Sequence, residues 1–133
     1  MIKLDLDKHV IKRLSEQDKV YLEKFVNLRK ISMKGIQLEI LENLPELPKL
    51  QYIRLEDNLL SGLQLVELIQ YQNLTHINIA NNMIDHLSQL RFLNEMPHVT
   101  NLNIRGNPVF ENLTEQYKAG TFETCFFLRR IRK

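Results

Sequence analysis

The chain alternates apolar and polar positions in four segments that share one template. They read LRKISMKGI from Leu28, LQYIRLEDN from Leu50, LTHINIANN from Leu74 and VTNLNIRGN from Val99, with starts 22, 24 and 25 residues apart. The last three follow L-x-x-L-x-L-x-x-N with a close apolar substitute at Val99, and place Asn58, Asn82 and Asn107 at the final position. The first has Ile36 there, and a weaker copy, MIKLDLDKH, opens the chain with Leu4 and Leu6 in the paired apolar places. Two apolar residues separated by one polar residue predict a short strand with one buried face. The asparagine follows where the chain must turn away, and its amide can both donate to and accept from the backbone of neighbouring turns.

No single copy can cover its apolar face, so the copies must stack. Period and template together are those of leucine-rich repeats. They predict an α/β leucine-rich-repeat solenoid, with a curved parallel β-sheet on the concave face and short helices and 3₁₀ turns on the convex face. One domain spans 1–133, with about five repeats starting near residues 1, 28, 50, 74 and 99 and a C-terminal cap over 108–133. Between the strands, Ile84, Leu87, Leu90, Leu93, Met96, Val99 and Leu102 recur every third residue, which suits 3₁₀-like or extended backbone. Leu44, Leu47, Leu50 and Ile53 do the same, with Pro45 and Pro48 opposing a regular helix. Leu65, Leu68 and Ile69, at i, i+3, i+4 after Ser61-Gly62, predict a short α-helix. A leading helix from Asp18 to Val26 would turn Val20, Tyr21 or Leu22, Phe25 and Val26 toward the core. The first strand, Ile2–Leu6, has no cover before it. Residues His9 to Val26 are expected to shield part of its core, leaving either a monomer or weak self-association through this end.

Composition excludes several classes. With 44% hydrophobic and 26% charged residues the chain is neither disordered nor membrane-like. The single cysteine, Cys125, has no disulfide partner within the chain, and no apolar segment behind a basic start argues for secretion. A nuclear or cytoplasmic, non-secreted location is expected, and the sequons at Asn73 and Asn112 then read as chance matches. The net charge of +2 hides an asymmetry. Residues 1–34 hold nine basic and five acidic side chains, residues 35–99 three and eight, and residues 100–133 six and three. An acidic middle between basic ends can orient a charged partner.

Candidate chemistry is sparse. His9, His76, His86 and His98 show no metal-ligand spacing, and Gly35, Gly62, Gly106 and Gly120 form no phosphate loop. No nucleophile signature appears, so no catalytic residue, metal or cofactor is assigned and a non-enzymatic role is expected. The polar strand positions that alternate with the buried ones point to the concave face. Lys30, Lys34, Tyr52, Arg54, Glu56, His76, Asn78, Asn103 and Arg105 are the candidate partner-binding residues there. Lys30, Lys34 and Arg54 gather positive charge, Tyr52 offers an aromatic contact, and the asparagines, with Asn101, form a hydrogen-bonding patch. The plainer alternative is that these positions are polar because they are wet. The tail Arg129-Arg130-Ile131-Arg132-Lys133 reads as a last strand with solvated charges, a nuclear-targeting cluster or a phosphate-binding patch. Its four charges would add only weak, salt-sensitive affinity for nucleic acid.

The run LPKLQYIRLEDNLLSG, followed by YQNLTHINIANNMI, resembles the acidic leucine-rich nuclear phosphoprotein family, from about Met1 to Arg105. That resemblance implies a nuclear adaptor whose partner is a histone or a phosphatase subunit. The family has an amphipathic helix before its first strand and an acidic tail after its repeats, whereas this sequence opens at the strand and ends in RRIRK. The C-terminal section, NLNIRGNPV with Tyr117-Lys118, Leu128 and Ile131, resembles the cap of the spliceosomal A-prime protein of the U2 particle. Lys118, Phe126 and Arg132 replace that cap's usual arginine, proline and aspartate. This second resemblance implies the alternative function, a ribonucleoprotein scaffold.

Overall fold

The computed structural model describes residues 3–7 and 9–111. The expected cap beyond Glu111, with Tyr117, Cys125 and the basic tail, lies outside the described residues. Five strands, β1 (Lys3–Asp5), β2 (Lys30–Ser32), β3 (Tyr52–Arg54), β4 (His76–Asn78) and β5 (Asn101–Asn103), form one parallel sheet in chain order. The register is the same at each step. Leu4, Ile31, Ile53, Ile77 and Leu102 align as the inward row. On the other face, one row runs Lys3, Lys30, Tyr52, His76, Asn101 and the next Asp5, Ser32, Arg54, Asn78, Asn103.

Each strand is short because the chain must leave the sheet at once to close its turn. It does so through a left-handed residue at one repeat position: Gly35 (φ 65°), Asp57 (60°), Asn81 (54°) and Gly106 (75°). Only glycine, asparagine and aspartate enter this region readily. The next residue then points into the core. In three repeats it is the asparagine, buried and fully bonded. Asn58 Oδ1 accepts from the N–H groups of Ile36 and Leu38 (3.1 and 2.9 Å), and its amide donates to the carbonyls of Met33, Leu55 and Glu56. Asn82 and Asn107 repeat the arrangement one and two turns on. These side chains replace the ladder hydrogen bonds that the turning backbone cannot make for itself. At the first turn Asp7 performs a related task, accepting from Ser32 Oγ at 2.7 Å and from the Lys34 N–H at 2.8 Å.

The core runs the length of the stack. Leu55, Leu60, Leu65, Leu68, Leu74, Ile79, Ile84, Leu90, Leu93 and Ile104 are wholly buried, each worth about 1.5–3 kcal/mol of transfer free energy. Tyr71 is buried among them and its hydroxyl donates to the Pro45 carbonyl at 2.7 Å.

The convex side is built from 3₁₀ helix, over Gly62–Gln70 and over Leu87–Glu95. The second was expected from the three-residue period; the first corrects the expected α-helix. Gly62, Leu65, Leu68, Tyr71 and Leu74 are the buried positions, again every third residue, and Ile69 is only half-buried. The two 3₁₀ helices lie side by side, and matching the pitch of the neighbour favours the more extended winding. The leading helix, α1, spans Glu16–Leu22 with a Ser15–Asp18 capping box, shorter than expected at its C-terminal end. Leu22 is buried and Phe25 half-buried, but Val20, Tyr21 and Val26 face solvent, which corrects their core assignment. A last helical turn, α2, covers Pro108–Glu111.

Candidate functional site: the concave face

Because the strands stack in register, equivalent side chains of successive repeats meet across the sheet. Tyr52 on β3 and His76 on β4 are register partners, and their rings stack with centroids 4.3 Å apart and planes at 19°. Lys30, the partner on β2, holds its ammonium 5.7 Å from the Tyr52 centroid, a cation–π distance. Asn101 continues the row on β5. Lys30, Tyr52, Arg54, His76, Asn78, Asn101, Asn103 and Arg105 line a shallow concavity of about 330 Å³.

Seven of the nine candidates therefore share one depression, and Asn101 completes it. Lys34 and Glu56 are not in its lining. The Lys34 ammonium lies 3.9 Å from Asp57. The Glu56 side chain is only 7% exposed. It accepts from Arg54 Nε at 3.1 and 3.2 Å and from Arg54 Nη2 at 2.9 Å, and Asn78 Nδ2 donates to the same Oε2 that takes the Nη2 bond. Arg54 is thus engaged by a forked, charge-assisted pair, which neutralises much of the cationic centre expected there. The hydrogen bond it donates to Glu56 raises the Arg54 pKa further. The sequence placed both residues on this face; that they bind each other is seen only in the fold.

The amides are partly spoken for. Asn78 and Asn103 turn their Oδ1 atoms to the N–H groups of Ala80 and Arg105, and Asn101 Oδ1 accepts from the Thr100 hydroxyl. Their acceptors are used by the fold, so the amide hydrogens of Asn101 and Asn103 are what the face offers outward. Together with the Lys30 ammonium, the open part of the site is rich in donors.

His76 has its pKa lowered, first by burial and then by the positive charge of Lys30. The imidazole therefore remains neutral further into the acid range than a free histidine, which suits stacking. Replacing Lys30 with glutamine removes the repulsion and is expected to move the His76 midpoint upward. NMR titration of the ring resonances in wild type and Lys30→Gln tests this, and an unchanged or lower midpoint would contradict it.

Among the described residues, no group of three or more His, Cys, Asp or Glu is placed to hold a metal ion, and no helix is long and apolar enough to cross a membrane.

The parallel sheet, the asparagine ladder and the 3₁₀ convex wall define a leucine-rich-repeat solenoid. No family model matches the chain. It is similar to the acidic leucine-rich nuclear phosphoprotein 32-related protein of Plasmodium falciparum, 25% identical over 122 residues, covering 90% of this chain and 43% of that protein. It is also similar to a chain in the crystal structure of the Drosophila melanogaster SNF/U2A′ complex, with a TM-score of 0.66 and 26% identity over 87% of this chain and 63% of that one. Both resemblances drawn from the residues thus reappear, one in sequence and one in structure. This chain spans less than two thirds of either relative.

Proposed function

We propose that the chain is a non-enzymatic protein-interaction module that seats a protein partner on its concave face, centred on Tyr52, His76 and Lys30. The observation that carries this reading is the stacked Tyr52–His76 pair: two half-exposed rings held in register by the sheet, with donors on both sides. Rigid aromatic anchors amid polar groups are the composition of interface hot spots. The resemblance to acidic leucine-rich nuclear phosphoproteins supports a nuclear adaptor with a histone or phosphatase subunit as partner. The likeness to a chain of the SNF/U2A′ complex favours a second reading, a ribonucleoprotein scaffold that contacts an RNA-binding protein.

Direct binding measurements separate them. Core histones, a phosphatase catalytic subunit and an RNA-recognition-motif protein are titrated against wild type and Tyr52→Ala/Lys30→Glu. The true partner is expected to lose at least roughly tenfold in affinity, about 1.4 kcal/mol. A partner that binds both proteins equally well would show that the concave face is not its site.

A further inference from the structure

The convex side carries an apolar surface that the solenoid does not use. Leu63 is 76% exposed and Val66 53%, both on the first 3₁₀ helix. Leu87, at the start of the second, is also exposed, and so are Leu59 and Met83, which occupy the same position in adjacent repeats. Half of the exposed large apolar side chains of the described residues fall in this one stretch. Single exposed leucines need no explanation, but exposed apolar side chains that share one groove do.

Leu63 and Val66 border a groove of about 350 Å³ between the two 3₁₀ helices, lined also by Gly62, Ser88, Gln89 and Phe92. Its floor is fixed. Gly62 lies so close to Gln89 that a Cβ there would stand 2.5 Å from the Gln89 Cβ. Gln89 in turn is held by the N–H groups of Asp85 and His86, which donate to its Oε1 at 3.1 and 3.2 Å. A methyl group on Gly62 would push the helices apart, so the groove depends on that glycine.

Charge selects the occupant. On the two 3₁₀ helices and the turn that leads into the second, the acidic side chains are Glu67, Asp85 and Glu95, all exposed, against Arg91 and His86, whose Nε2 lies 4.0 Å from the Asp85 carboxylate. The concave face, by contrast, offers ammonium and amide donors. The two faces therefore suit partners of opposite sign.

We propose that this groove is a second docking site, occupied by a basic amphipathic helix of a separate protein. Its leucine-type side chains would enter between Leu63, Val66 and Phe92, and its lysines or arginines would face Glu67 and Asp85. Apolar anchors one helical turn apart in a groove, with charges at the rim, are the general mode of helix-in-groove recognition. The chain would then join two partners rather than hold one.

The test uses the full chain and three synthetic peptides: an 18-residue helix with leucines at helical spacing and lysines elsewhere, its glutamate counterpart, and a scrambled lysine peptide of the same composition. Amide chemical shifts are followed by NMR. The lysine helix is expected to shift residues 62–66 and 88–92, and to bind at least tenfold more tightly than either control. Leu63→Ser/Val66→Ser, at positions exposed enough to leave the fold intact, should weaken it at least tenfold with the same unfolding midpoint. Tyr52→Ala should leave it unchanged, which separates this site from the concave one. Equal binding of the scrambled or glutamate peptide, or shifts confined to the concave face, would overturn the proposal. So would a peptide-free dimer, seen by sedimentation, that Leu63→Ser/Val66→Ser dissolves, since the occupant would then be a second copy.

Discussion

Replacing Asn58 with alanine is expected to destabilise the protein by about 3–5 kcal/mol, which is much of the stability of a typical domain. Asn58 is 5% exposed and bonds five backbone groups: two N–H donors of the preceding turn and three carbonyls. Alanine takes the partner from the Ile36 and Leu38 N–H groups and the Met33 carbonyl, while the Leu55 and Glu56 carbonyls keep Asn82 Nδ2 and the Gly35 N–H, and each unsatisfied group costs roughly 1–3 kcal/mol before water or a local shift relieves part of it. Asn58→Asp keeps the acceptor for the N–H groups of Ile36 and Leu38 but turns an oxygen toward three carbonyls, so it should be no better. Asn58→Leu restores volume without restoring a single bond and should not rescue. The loss should be local first, because each repeat rests on its neighbours alone. Amide exchange should therefore accelerate for residues 31–38 before it does for residues 99–107. Chemical unfolding of the three variants provides the measurement; a cost below about 1 kcal/mol for Asn58→Ala would mean that the ladder is dispensable.

The asparagines, strands and concave rows were legible because a repeat states its register several times. Leu50, Leu74 and Val99 start copies whose strands, β3, β4 and β5, pair residue for residue. What escaped the pattern has physical causes. The segment 62–70 reads as α-helix because Ile69 adds an i+4 match, but burial follows Leu65, Leu68 and Tyr71, and the neighbouring 3₁₀ helix settles the winding. Val20 and Tyr21 fit a helical stripe, yet α1 is too short to bury more than one side, and Leu22 takes it. A further signal was present and unread: the residue before each asparagine position is Gly35, Asp57, Asn81 or Gly106, the residue types that tolerate the left-handed backbone found there. The pairing of Arg54 with Glu56 was not legible at all. Both are polar residues at the end of a strand, and only the fold shows that one carboxylate is buried against the other's guanidinium.

That pair yields the second large effect, and its two halves should not be equal. Arg54→Met is expected to cost about 2–4 kcal/mol at neutral pH, because it strands a buried carboxylate. Glu56→Gln should cost about 1 kcal/mol or less, because the Arg54 side chain is 37% exposed and its guanidinium can return to water. The double variant Arg54→Met/Glu56→Gln removes both charges and should recover most of the loss. Unfolding free energies at neutral pH decide this, and equal costs for the two single variants would refute the asymmetry. The result bears on function, because Arg54→Met alone would mimic loss of a binding residue by disturbing the face it lies on. The double variant removes the charge while keeping the sheet, and only its effect on partner affinity reports what Arg54 contributes to binding.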